Sequence, residues 1–192
     1  IPGEKFQIGD RIRVYAESAR EDFRGETLNV YRTNANFIRK LFEYEVPEIE
    51  SGEVVIKNVA REAGLRTKIS VYATDPNLDA IGACVGNRGA RVNAIANELG
   101  AEKIDIIPYS DITEEYIAAS LSPTKIVSID VDENARQAKV KVMPDKLSLA
   151  IGKQGHNVRL AARLTGYKID VKAYDENEPE ASKTVQNIVI DD

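Results

Sequence analysis

Two glycine-bracketed tetrads carry the most chemistry in this 192-residue chain: Gly86-Asn87-Arg88-Gly89 and Gly152-Lys153-Gln154-Gly155. A glycine at each end lets the backbone turn sharply and approach a ligand with no Cβ in the way. Apolar residues at helical spacing lie on both sides, so each tetrad joins two helices. The second helix starts just after the loop, and its first unpaired N–H groups and positive dipole end point back at it. A phosphate is the natural ligand of such a place. Asn87 and Arg88 in one copy, and Lys153 and Gln154 in the other, add donors and positive charge. Arg91 and Arg159 follow on the second helices and complete the candidate set, with plain solvation an even competitor for both.

Other chemistries lack their residues. Gly152-Lys153 is followed by Gln154, and no glycine lies five residues before Gly152, so there is no nucleotide-binding P-loop. Gly82, Gly86 and Gly89 have the wrong spacing for a dinucleotide fold. A single histidine, His156, cannot supply a metal cluster and reads as a surface or capping residue. Cys84, the only cysteine, precedes the first loop on an apolar helix and reads as a buried structural thiol. The expectation is a protein that is not an enzyme, with no catalytic residues, metal, cofactor or small-molecule substrate.

The formal net charge of −5 argues against nucleic acid as a default partner, but its distribution qualifies the total. Acidic residues crowd into the stretch from Glu43 to Glu53 and the C-terminal tail. Lys153, Arg159 and Arg163 stand in a stretch without an acid, as do Arg88 and Arg91. Positive charge is thus focused at the two loops. No apolar run approaches the roughly 18 residues of a membrane span, and the start at Ile1 has no signal-peptide pattern. A cytoplasmic location with no membrane partner is expected. The absent initiator Met reads as a piece of a longer protein.

The elements that must position the loops come from an internal repeat. Cys84 to Val92 aligns with Ala150 to Val158 at an offset of 66. Ala96 then aligns with Ala162 and Gly100 with Gly166. Around each loop the periodicity predicts helix, two strands, helix, loop, helix and strand. In the first copy the opening helix carries Phe37, Ile38, Leu41 and Phe42 and stops at Val46-Pro47. A hairpin of 54–60 and 67–73 turns near Gly64. In the second copy Asp111 and Glu114 suggest a capping box, with strands at 127–131, 138–142 and 167–173. Ile81, Val85 and Val92, with Leu147, Ile151 and Val158, offer an apolar floor for bases. Two such units, each αββααβ, make an α+β protein, and a Gly-x-x-Gly loop in that frame is the arrangement by which KH modules clamp single-stranded RNA. Ahead of the repeat, 6–15 and 27–31 read as strands around a turn at Arg24-Gly25. They are too few for a core of their own.

The segments Leu41-Phe42-Glu43-Tyr44-Glu45-Val46-Pro47-Glu48-Ile49, Val59 to Lys68, Gly82 to Ile107 and Leu149 to Ala161 resemble the NusA family of bacterial transcription elongation, termination and antitermination factors. The resemblance implies the C-terminal part of an S1-type OB barrel at 1–33. It further implies type II KH domains at 34–109 and 110–174, and an acidic tail at 175–192. It implies single-stranded nascent RNA as ligand, and RNA polymerase and other antitermination factors as partners of the full-length protein. The competing reading is a protein-interaction scaffold with degenerate KH folds, which the acidic charge favours.

Overall fold

A computed structural model describes residues 1–22 and 25–175. The acidic tail expected from 175 onward lies almost wholly outside the described residues, as does Arg24 of the expected N-terminal turn. The chain divides into two compact units, Ile1–Ile106 and Ile107 onward.

The first unit opens with an antiparallel ribbon of β1 (Tyr15–Asp22) and β2 (Gly25–Tyr31), in register from Tyr15 opposite Tyr31. The expected strand at 6–15 does not form; the strand begins at Tyr15. The alternation of Phe6, Ile8, Ile12 and Val14 finds no neighbouring strand, and all four side chains stay exposed. A strand needs a partner for its N–H and C=O groups, which alternation alone cannot supply.

Helix α1 (Ala35–Glu45) starts at Asn34, whose side chain accepts the Asn36 N–H at 2.6 Å. Phe37, Ile38, Leu41 and Phe42 lie on one face and are buried. Val46 ends the helix, and Pro47 opens the single turn α2 (Pro47–Glu50), where a missing N–H costs nothing. Strands β3 (Val54–Glu62) and β4 (Arg66–Ala73) form the predicted hairpin, turning through Gly64 at φ +80°. Helix α3 (Ala80–Val85) is capped by Asp79 on the Gly82 N–H at 2.9 Å. After the first loop, α4 (Ala90–Glu98) leads into β5 (Lys103–Pro108), giving a sheet ordered β3-β4-β5. The helices bury Ile38, Phe42, Ile95 and Leu99 against Ile69 and Val71 of this sheet.

A buried ion pair closes the hairpin onto the start of β5. Arg61 and Glu102 meet at 2.8 Å with 2% and 0% of their side chains exposed. The Glu102 carboxylate also accepts the Gly64 N–H at 2.8 Å and the Thr67 hydroxyl. Satisfied lone pairs of this kind are what a buried carboxylate requires.

The second unit repeats the plan with α5 (Thr113–Ser120), β6 (Ser128–Asp132), β7 (Gln137–Val142), α6 (Leu147–Ile151), α7 (His156–Thr165) and β8 (Lys168–Ala173). Its sheet is ordered β6-β7-β8, antiparallel then parallel. Ile117, Leu121, Val140, Val142 and Ala161 form its core. The expected capping box at Asp111 is not the one used. The helix begins at Thr113 with Ile112 as N-cap, and Asp111 instead accepts the Tyr109 hydroxyl at 2.9 Å. Ser110 does the local work: its hydroxyl oxygen accepts the Ile112 N–H and its proton goes to Glu115. No helix among the described residues is long and apolar enough to cross a membrane.

Candidate nucleic-acid interface

Each loop interrupts a helix pair in the same way. Gly86 (φ 73°, ψ 172°) ends α3, and Gly152 (φ 78°, ψ 166°) ends α6, both in a region that a Cβ forbids. Space forbids it too, since a Cβ on Gly86 would lie 2.7 Å from Cγ of Arg91 and one on Gly152 2.8 Å from Cβ of Asn157. The closing glycines, Gly89 (φ 78°, ψ 13°) and Gly155 (φ 75°, ψ 12°), are left-handed and lead straight into α4 and α7.

The third residue of each tetrad is left-handed without being glycine: Arg88 at φ 51° and Gln154 at φ 53°. Such a conformation costs about 1–3 kcal/mol and persists only where its surroundings impose it. Finding it at the same place in both copies marks a shape the loop is built to hold. The loop's own bonds use the N–H groups of Gly86, Gly89 and Ala90 in the first copy and of Gly152, Gly155 and His156 in the second. Among the described residues, the N–H groups of Asn87 and Arg88, and of Lys153 and Gln154, have no backbone acceptor. Successive amides left over in a right-to-left-handed turn make an anion-binding concavity.

The predicted side chains divide into two groups. Asn87, Arg88, Lys153 and Gln154 are exposed at the loop tips. Arg159 is exposed on α7, with Nη2 3.0 Å from Nδ1 of His156, while Nε2 of His156 lies 3.2 Å from the Gln154 side-chain oxygen. His156, read from sequence as a surface or capping residue, therefore links a loop residue to a helix cation. Arg91 is partly exposed but folds back across the loop, where its Nη1 donates to the Ala83 carbonyl at 2.6 Å and to Glu48 at 2.9 Å. The offset of 66 makes Asn157 the counterpart of Arg91, a pairing visible in the sequence but not singled out there. Glu48, 43 residues from Arg91, left no local signal.

Of the apolar flank, Ile81 packs against the first core, and Leu147 and Val158 against the second. Val85, Val92 and Ile151 remain partly exposed beside the loops. Cys84 is fully buried two residues before the first loop. Burial, helped by the negative charge of Glu48, pushes its thiol up to about 12, so it is inert as a nucleophile at neutral pH.

Two glycine-opened helix junctions, each beside a three-stranded sheet, define the tandem KH class of nucleic-acid-binding modules. Residues 32–109 match the NusA-like first KH domain and residues 113–179 the NusA-like second KH domain. The chain belongs to the NusA family. It is 48% identical over 176 residues to the transcription termination/antitermination protein NusA of Halalkalibacterium halodurans, covering 92% of this chain and 46% of that protein. For the proteins of the same name from Bacillus subtilis and Thermus thermophilus the identities are 49% and 47%, over 90% and 88% of this chain and 47% and 44% of theirs. The chain spans about half the length of the curated relatives it matches. A solved structure described as "Crystal structure of APE1850" superposes with a TM-score of 0.53 at 23% identity, over 74% of this chain and all of that one, a likeness of fold alone.

Proposed function

We propose that this chain binds single-stranded RNA through both Gly-x-x-Gly loops, as part of a transcription elongation, termination and antitermination factor acting on nascent RNA with RNA polymerase. The observation that carries the reading is the pair of left-handed loops, each with unused amides and exposed donors or cations at the start of a helix. The names of the relatives support the transcriptional setting. Gly86, Asn87, Arg88 and Gly89, with Gly152, Lys153, Gln154 and Gly155, hold the sugar–phosphate backbone. Arg159 adds charge, and Val85, Val92 and Ile151 receive bases. The finer architecture belongs to the same proposal: type II KH domains at 34–109 and 110–174, and the end of an S1-type OB barrel at 1–33. The exposed Leu28, Val30 and Tyr31 of the ribbon suit a strand pair that is completed by further barrel strands. RNA polymerase and other antitermination factors are partners of the full-length protein, in the cytoplasm.

A titration with labelled single-stranded RNA at two salt concentrations tests this. Phosphate contacts release counterions, so affinity must fall as salt rises, with a slope of about −0.7 per contact for single strands. No saturable binding at low salt would favour the scaffold reading, for which the net charge of −5 is the supporting feature.

A further inference from the structure

Arg91 and Asn157 occupy equivalent places in the repeat and make similar bonds, to carbonyls one position apart in the aligned helices, with different chemistry. Each leaves the first turn of the helix after the loop and reaches back to the last turn of the helix before it. Arg91 donates to the Ala83 carbonyl at 2.6 Å, and Nδ2 of Asn157 to the Ala150 carbonyl at 2.9 Å. Each also fills the space that a Cβ on the loop's first glycine would need. Both have a second anchor in the module's opening half: Glu48 on α2 for Arg91, and the Leu121 carbonyl at the end of α5, 3.3 Å away, for Asn157. The amide orientation of Asn157 is decided by its surroundings, because both neighbours of Nδ2 are carbonyl acceptors.

Asn157 is neutral and 0% exposed, so it cannot touch a phosphate. What the two positions share is the bond across the loop, not a charge offered to a ligand. We infer that Arg91 and Asn157 are positioning residues, clasps that hold each Gly-x-x-Gly loop in its left-handed shape, and that Glu48 belongs to the first clasp. This rests on the RNA-binding reading of the loops, and it takes Arg91 out of the set that contacts RNA directly. The charge of Arg91 is then incidental. A short amide at 91 that reaches the preceding helix end, as Asn157 does, must do the same work.

The experiment compares two variants of the full chain, Glu48→Gln/Arg91→Asn and Glu48→Gln/Arg91→Ala, so that no carboxylate is left unpaired in either. Amide hydrogen exchange at residues 86–89 is read without RNA, and affinity for a labelled random single-stranded RNA pool is read across salt. In the alanine variant exchange speeds up and affinity falls by about tenfold each, the loss of one well-placed hydrogen bond, with the salt slope unchanged. In the asparagine variant both return toward the parent. Equal affinity losses in the two variants, with the slope flatter by about 0.7, would make Arg91 a phosphate ligand and overturn the inference. Unchanged loop exchange in the alanine variant would overturn it as well. If the parent chain bound no RNA, the functional reading would fail, while the exchange data would still decide whether the clasp exists.

Discussion

Replacing the loop tips by aspartate, as Asn87→Asp/Arg88→Asp and Lys153→Asp/Gln154→Asp, separates binding from folding. All four side chains are exposed, so no packing is lost. Arg88 and Gln154 are left-handed at φ 51° and 53°, and aspartate tolerates that region better than either. Carboxylates beside the first turns of α4 and α7 also sit favourably on the helix dipoles. The expected stability change for each loop is therefore within about 0.5 kcal/mol, the ordinary range for surface substitutions. Binding behaves otherwise. Each loop loses a cation, Arg88 or Lys153, and gains two negative charges where a phosphate would sit. A charge-assisted hydrogen bond is worth about 1.5–3 kcal/mol. Losing one in each loop weakens binding by about 3–6 kcal/mol, roughly a hundredfold to ten-thousandfold. Loss of two phosphate contacts also flattens the salt slope by about 1.4. Fluorescence anisotropy with single-stranded RNA at two salt concentrations, beside thermal melts, reads both effects. A folded quadruple variant that binds within about threefold of the parent would refute the assignment of the loops.

Three further outcomes follow from the packing. Glu102→Ala leaves Arg61 buried without its partner and costs about 3–5 kcal/mol in urea denaturation; a loss below about 1 kcal/mol would mean the pair is not the tie between hairpin and β5. Cys84 resists iodoacetamide at pH 8 in the native protein, because burial holds the thiol near 12, and reacts once the chain unfolds; rapid labelling of folded protein would contradict its burial. The hydrogen bond from Arg32 holds the Glu4 carboxyl below its ordinary 4.5, against an opposing effect of burial. Its contribution is therefore present at neutral pH and fades as pH drops below 4.5 through the lower folded value. Glu4→Gln removes that acid-sensitive part, and identical acid-unfolding curves for variant and parent would count against it.

Much of the functional architecture is written locally. Glycine is needed at Gly86 and Gly152 because of their own φ and ψ, and those two tetrads stand out in any single reading of the chain. The buried stripe of α1 and the β3–β4 hairpin follow from periods of a few residues and a turn glycine, so their positions could be read without a structure. The repeat offset of 66 likewise tied the two modules to one plan. What could not be read this way depends on groups far apart in the chain. Arg91 turns toward Glu48 across 43 positions, and Arg61 finds Glu102 across 41. The alternating stretch from Phe6 to Val14 stays out of any strand because pairing requires a neighbour that alternation does not specify. Asn157 carries an ordinary polar side chain and is nonetheless wholly enclosed, since only the assembled second core shuts it away from solvent. Backbone shape and amphipathic faces are properties of short segments, and the sequence alone determined them. The direction a long charged side chain takes, and whether it meets solvent or a distant carboxylate, was decided only when the segments packed.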